Sequence, residues 1–123
     1  TVLLQPRDTV VTVDPLHLSQ IMTNLCQNGL RYSKKKTGEL TLLIQGGRDP
    51  QTLLPYLEII DYGQGVDEEL VSNLFEPFYT TETSGTGLGL YLSKELCAAN
   101  DARLHYNRAG TGGSSFKITF MEL

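Results

Sequence analysis

Two β-rich runs, Leu40 to Gln45 and Tyr56 to Asp61, follow one another with no helix between them. Only Gly46-Gly47-Arg48-Asp49-Pro50 and its short continuation join them, and that glycine and proline content reads as a loop. Strands joined this way are antiparallel neighbours, because a parallel pair needs a crossover of about a dozen residues or more. A second such pair, Arg103 to Asn107 and Ser115 to Phe120, closes around Gly110 to Gly113. Ahead of both pairs, Asp14-Pro15 supplies a helix N-cap and a first helical residue, and Leu18, Ile21, Met22, Leu25 and Cys26 recur at helical spacing through about Tyr32. Asp67 to Leu74 predicts a short helix and Leu88 to Ala99 a second long one. Val2 to Gln5 and Val10 to Val13 are either a hairpin or one strand interrupted at Pro6-Arg7-Asp8. The order β, α, β, β, loop, α, β, β predicts an α/β sandwich: a mixed, mainly antiparallel sheet of about five strands with its helices packed on one face. A Rossmann unit is excluded.

The 123 residues suit a single domain, residues 1–123. Ten Lys and Arg against fourteen Asp and Glu leave a net charge of −4, so the chain lacks the basic footprint of a nucleic-acid or anionic-membrane binder. Lys34-Lys35-Lys36 is the one basic run and reads as a solvated loop. Apolar stretches such as Leu40 to Ile44 fall far short of the ~18 residues needed to span a bilayer, so no membrane insertion is expected. The opening Thr1-Val2-Leu3-Leu4-Gln5 resembles no signal peptide and reads as the start of an excised fragment. Cys26 and Cys97 lie inside apolar helical patterns, with no CxxC pair, and read as small core residues.

Three elements carry chemistry. The helix from Pro15 places Asn24, Asn28 and Arg31 at i, i+4 and i+7, a stripe beside its apolar face. An amide oxygen there is a ligand for a hard divalent cation, and an Arg one turn on can reach phosphates that the cation bridges; a cap or surface role for each Asn is the alternative. At the end of an apolar strand, Asp61-Tyr62-Gly63-Gln64-Gly65 sets a carboxylate before two glycines that let backbone lie close to a flat ring, or else forms an ordinary turn. Finally, Gly85-Thr86-Gly87-Leu88-Gly89-Leu90 runs into a helix, so bare backbone N–H groups and a helix dipole meet as a phosphate cradle. It is not a Walker loop, because no Lys-Ser/Thr follows.

In this order the elements resemble the catalytic ATP-binding domain of bacterial sensor histidine kinases, a branch of the ATPase superfamily shared with gyrase, Hsp90 and MutL. Leu18 to Ser33 resembles the N box, Asp61 to Gly65 the G1 box, Leu74-Phe75-Glu76-Pro77-Phe78-Tyr79-Thr80-Thr81 the F box, and Gly85 to Leu90 the G2 box. The details of the N box and of Leu90 to Cys97 are most similar to the sensor kinases of type IV pilus regulation. The resemblance implies ATP and Mg²⁺ as cofactors, with Asn28 as the metal ligand and Asn28 and Arg31 as the catalytic pair. Asn24 would stand beside them, Tyr32 would pack by adenine or ribose, and Asp61 would bind the adenine amino group with Gly63 and Gly65 giving it room. Gly85, Thr86, Gly87, Leu88 and Gly89 would hold the phosphates.

The same resemblance implies partners: the protein's own dimerisation and phosphoacceptor hairpin, and a response regulator of NtrC-like type. It also implies a cytoplasmic domain of an inner-membrane-anchored kinase. Three positions depart from the family pattern: Gly29 for Ala, Glu82 for Lys or Arg, and Asn100-Asp101 for Gly-Gly. Asn100 suits a left-handed C-cap. His17 and His105 both fail as phosphoacceptors, since one starts the N-box helix and the other lies in a strand. Phe75, Phe78 and Tyr79 read either as core or as part of a lid over the nucleotide. A stand-alone ATPase is the first rival, but its usual water-activating Glu is replaced by Asn24. A non-catalytic nucleotide-sensing module is the second.

Overall fold

The computed structural model describes residues 2–4, 10–79 and 88–121. The elements are β1 (Val2–Leu4), α1 (Pro15–Thr37), β2 (Leu42–Arg48), β3 (Pro55–Asp61), α2 (Glu68–Val71), α3 (Gly89–Ala99), β4 (Ala102–Arg108) and β5 (Ser114–Phe120). The strands form one sheet in the order β1-β2-β3-β5-β4, with β1 parallel to β2 and every other pair antiparallel. Alternate residues of the three inner-facing strands, Ile59, Leu104, Phe116, Ile118 and Phe120, form the core with Ile21 and Leu25 of α1 and Cys97 of α3. Both long helices therefore cover the same sheet face, as period-2 strands against period-3.6 helices require. Cys97 is fully buried and Cys26 half-buried, and burial pushes both thiols up, Cys97 to about 11.

Several boundaries differ from the sequence reading, each for a local reason. The α1 helix runs five residues past Tyr32, to Thr37, and stops at Gly38, whose φ of 83° supplies a left-handed cap with its N–H donating to the Lys34 carbonyl. Lys34, Lys35 and Lys36 are thus its last turn rather than a loop, where cations complement the exposed carbonyls. Gly46 and Gly47 belong to β2, paired with Leu57 and Tyr56, and the turn falls instead at Asp49–Leu54. Asp49 Oδ1 accepts from the N–H groups of Gln51 and Thr52 there. Residues 10–13 form no strand; Val11 and Val13 pack on the core from an unpaired segment.

The α2 helix covers only four residues, because residues 72–79 continue as successive i to i−3 turns and Pro77 bars a helical conformation at Glu76. At the end of α3 the left-handed residue is Asp101 (φ 55°), not Asn100 (φ −112°). Asn100 acts through its side chain, which donates to the Leu96 carbonyl, accepts from the Asp14 N–H and lies 3.0 Å from His17 Nδ1. Among the described residues, no helix is long and apolar enough to cross a membrane.

Candidate functional site

The C-terminal half of α1 forms one wall of a cavity of about 570 Å³. Opposite it lie the stretch from Gln64 to Asp67, the start of α3 at Gly89 and Leu90, and the hairpin between β4 and β5. Asn24, Asn28, Arg31 and Tyr32 all line this wall, as residues spaced three or four apart on one helix face must. Arg31 Nη2 donates to Asn28 Oδ1 at 3.2 Å, and the Arg31 guanidinium sits 5.7 Å from the Tyr32 ring centre. Asn24 is tied elsewhere: its Nδ2 reaches the Gly89 carbonyl (3.4 Å) and Ser93 Oγ (3.3 Å), while its Oδ1 accepts from Gln20. It locks α1 to the first turn of α3.

Asp61 ends β3 beneath the cavity, 2% exposed, and does not itself line it. Its Oδ1 accepts from the N–H groups of Gly63 (2.9 Å) and Ser114 (3.0 Å), and its carbonyl accepts from Thr111 Oγ1 (2.7 Å). Oδ2 has no hydrogen-bond partner among the described residues. A buried carboxylate oxygen calls for a hydrogen-bond donor. Gly63 is buried against Tyr32, where an added Cβ would come within 3.0 Å of the Tyr32 Cβ. Gly65 and Gly89 line the cavity, whereas Gly63 and Leu88 do not. Gly85, Thr86 and Gly87 lie outside the described residues, as do Thr80, Thr81 and Glu82. The F-box aromatics divide: Phe75 stacks edge-on against Phe116 at 6.2 Å, Tyr79 lines the cavity, and Phe78 is 73% exposed with a φ of 66°.

Sequence reasoning missed the whole contribution of the β4–β5 hairpin. Gly113 approaches Asp61 so closely that a Cβ would overlap the aspartate's carbonyl and Oδ1. Ser114 lines the cavity beside it, and Arg108 lines the far side. The signal was present: Gly110, Gly112 and Gly113 are more glycine than a hairpin turn requires. Also missed were Ser33, wholly buried, whose Oγ accepts from the Tyr62 N–H at 2.9 Å, and the cavity-lining Lys35 and Lys36.

The electrostatics of the lining oppose those of the chain. Arg31, Lys35, Lys36 and Arg108 face one carboxylate, Asp67, in a protein whose net charge is −4. Concentrating cations in a concave site favours a polyanionic ligand. The amide oxygens of Asn28 and Gln27 on the same wall are hard donors that suit Mg²⁺. Among the described residues no three His, Cys, Asp or Glu side chains converge, so a cation here would share Asn28 with oxygens of the ligand.

Known proteins match this chain in sequence and in fold. The family described as histidine kinase-, DNA gyrase B- and HSP90-like ATPase matches residues 13–123. The sensor protein kinase PilS of Pseudomonas aeruginosa is 51% identical over 113 residues, 92% of this chain and 21% of that protein. The chain thus spans about a fifth of the length of the curated relatives it matches. Among solved structures, the catalytic domain of the histidine kinase ThkA superposes with a TM-score of 0.77 at 22% identity, covering 97% of this chain and 76% of that one. Full-length ShkA, crystallised with AMPPNP, gives 0.78 at 21% identity over 98% of this chain and 24% of its own. At these identities the two structures speak to the fold alone, a sheet with helices on one face.

Proposed function

Because the chain belongs to the histidine kinase-, DNA gyrase B- and HSP90-like ATPase family, we propose that its cavity holds Mg²⁺-ATP and presents the γ-phosphate to a histidine of a separate helical hairpin. One observation carries the reading: a single face of α1 delivers Asn28, Arg31 and Tyr32 to a cavity whose lining has four cations and one carboxylate. A polyphosphate bearing a flat ring matches that lining in charge and in shape.

The roles follow from the residues. Bound Mg²⁺ supplies charge neutralisation at the phosphate oxygens, with Asn28 Oδ1 as its protein ligand. Arg31, already within hydrogen-bond reach of Asn28, turns its remaining N–H donors to the phosphates. Tyr32 packs against the base or ribose. Asp61 accepts from the adenine amino group through Oδ2, a role supported by that oxygen's lack of a partner among the described residues. Gly65 borders the ring on this reading, with Gly63 packed on Tyr32 behind it, while Gly85, Thr86, Gly87, Leu88 and Gly89 cradle the phosphates. Catalysis on this account is positioning and charge neutralisation, with no covalent chemistry for the protein to perform.

The partners on this reading are the hairpin that carries the acceptor histidine and a response regulator that takes the phosphoryl group onward. The identity shared with PilS fits the pilus-regulation reading of the sequence, and the NtrC-like type of the regulator rests on the sequence resemblance alone. A cytoplasmic position in a membrane-anchored kinase belongs to the same proposal. The test is transfer in trans: the chain, γ-labelled ATP and a separately supplied helical hairpin from its own parent protein, with the acceptor His intact or changed to Ala. Slow labelling of the intact hairpin alone is expected. Label on His17 or His105 of this chain would overturn the assignment of the acceptor to a separate hairpin, and rapid phosphate release without any hairpin would overturn the kinase reading in favour of a hydrolase.

A further inference from the structure

The wall of the cavity between Gln64 and Asp67 contains no helix or strand, and its shape is set by three side chains from outside it. Lys36, in the last turn of α1, donates to the Gly63 carbonyl at 3.4 Å. Arg108, the last residue of β4, donates from Nη2 to the Gln64 carbonyl at 2.9 Å. Tyr106, two residues earlier on the same face of β4, accepts from the Val66 N–H through its hydroxyl at 3.1 Å. Backbone groups of residues 63, 64 and 66 are therefore fixed in turn by α1 and β4, elements on opposite sides of the cavity.

Gly65 sits at the centre of this arrangement. Its φ of +78° is one that a side chain rarely adopts, and an added Cβ would come within 3.0 Å of both Cζ and Nε of Arg108. The guanidinium thus lies against the bare Cα as well as on the carbonyl before it. A planar fork can do both at once, whereas an ammonium cannot. Arg108 also lines the cavity.

From this geometry, and resting on the nucleotide reading above, we infer that Arg108 is a positioning residue for the nucleotide: it holds the Gln64–Asp67 wall in the shape that the ligand meets, with Tyr106 and Lys36 in support. An unbraced wall of this kind would have to be ordered by the ligand at the moment of binding, and that cost would appear as lost affinity. Arg108 is exposed, and it pairs with Ser114 in the sheet through its backbone, which a side-chain substitution leaves in place.

The experiment compares the chain with its Arg108→Ala, Arg108→Lys and Tyr106→Phe variants. It measures Mg²⁺-ATP affinity by calorimetry, thermal midpoint without nucleotide, and amide exchange at residues 64–67. Arg108→Ala is expected to weaken ATP about tenfold with a thermal midpoint close to that of the parent, since surface substitutions cost little stability. Exchange at Gln64 and Val66 should rise, while that of the β3–β5 pairs stays fixed. Arg108→Lys should recover only part of the affinity and Tyr106→Phe should lose severalfold. Unchanged affinity in Arg108→Ala, when the parent chain binds, overturns the inference and leaves the nucleotide reading standing. So does an affinity loss that merely tracks a large fall in thermal midpoint. A parent chain that binds no nucleotide overturns the nucleotide reading, and the inference with it.

Discussion

Replacing Gly113 by alanine tests the least expected part of the site, the contact between the β4–β5 hairpin and Asp61. An added Cβ would overlap the carbonyl oxygen and Oδ1 of Asp61 and come within 2.8 Å of its carbonyl carbon, all of them buried backbone or short side chain. No flexible side chain is there to yield, so the first residues of β5 must move away from the end of β3. Overpacking of this kind costs about 1 to 3 kcal/mol. The same movement pulls the Ser114 N–H off Asp61 Oδ1, now 3.0 Å away, and an unsatisfied buried donor adds about 1 to 3 kcal/mol. We therefore expect Gly113→Ala to lose about 3 kcal/mol in urea unfolding analysed by linear extrapolation, and roughly 10 °C in thermal midpoint. Gly110→Ala is the control: the same turn, but nothing within 4 Å of its Cβ, so its change should stay within about 0.5 kcal/mol. If the two variants lose the same small amount, the hairpin does not press on Asp61 and the reasoning fails.

Asp61→Asn should weaken adenine nucleotides by about 1 to 3 kcal/mol and relax discrimination against GTP, because the amide replaces the acceptor assigned to the adenine amine; an unchanged ratio of ATP to GTP affinity returns Asp61 to a purely structural turn. Ser33→Ala should cost about 1 to 2 kcal/mol by urea unfolding, since the Tyr62 N–H loses its only partner among the described residues, and a neutral result would mean that water replaces the hydroxyl. The Lys117 ammonium, 2.9 Å from Asp49 Oδ2, together with the N–H groups of Gln51 and Thr52, holds the Asp49 carboxyl down to about 2 from an ordinary 3.8. A depressed carboxyl contributes fully above its ordinary value, so the urea midpoint should fall as pH drops from 3.8 toward about 2, and Lys117→Met should make that fall shallower. An identical acid profile in the Lys117 variant would remove the pair from the account.

The sequence disclosed the sheet-and-helix plan because its signals were local. Asp14-Pro15 starts α1 through a side chain that caps the Leu16 and His17 N–H groups, and consecutive strands without a crossover could only be antiparallel. Asn24, Asn28 and Arg31 were legible for the same reason, since helical spacing alone puts them on one wall, whereas Tyr32 was named only through the family resemblance. What escaped notice depends on contacts between residues far apart in the chain. Arg108 reaches back 44 residues to Gln64, Ser114 reaches 53 to Asp61, and Ser33 meets Tyr62 across 29. Ser33 entered the sequence reading only as the end of the N box, and its value lies in a partner that periodicity cannot reveal. The lysines were misread because a charge run looks the same at a helix end as in a loop; only Gly38, one residue beyond Thr37, distinguishes the two. Gly46 and Gly47 misled in the opposite way, since glycine is a turn signal that pairing partners can override.

Calorimetric titration of the chain with ATP, with Mg²⁺ present and again in EDTA, tests the central claim most directly. Four cations, one amide ligand and a buried acceptor predict binding of micromolar order that requires the metal, and an Asn28→Ala variant that behaves with Mg²⁺ as the parent does in EDTA. Absence of binding, or equal affinity with and without Mg²⁺, would contradict the assignment of the cavity as a Mg²⁺-ATP site built on Asn28.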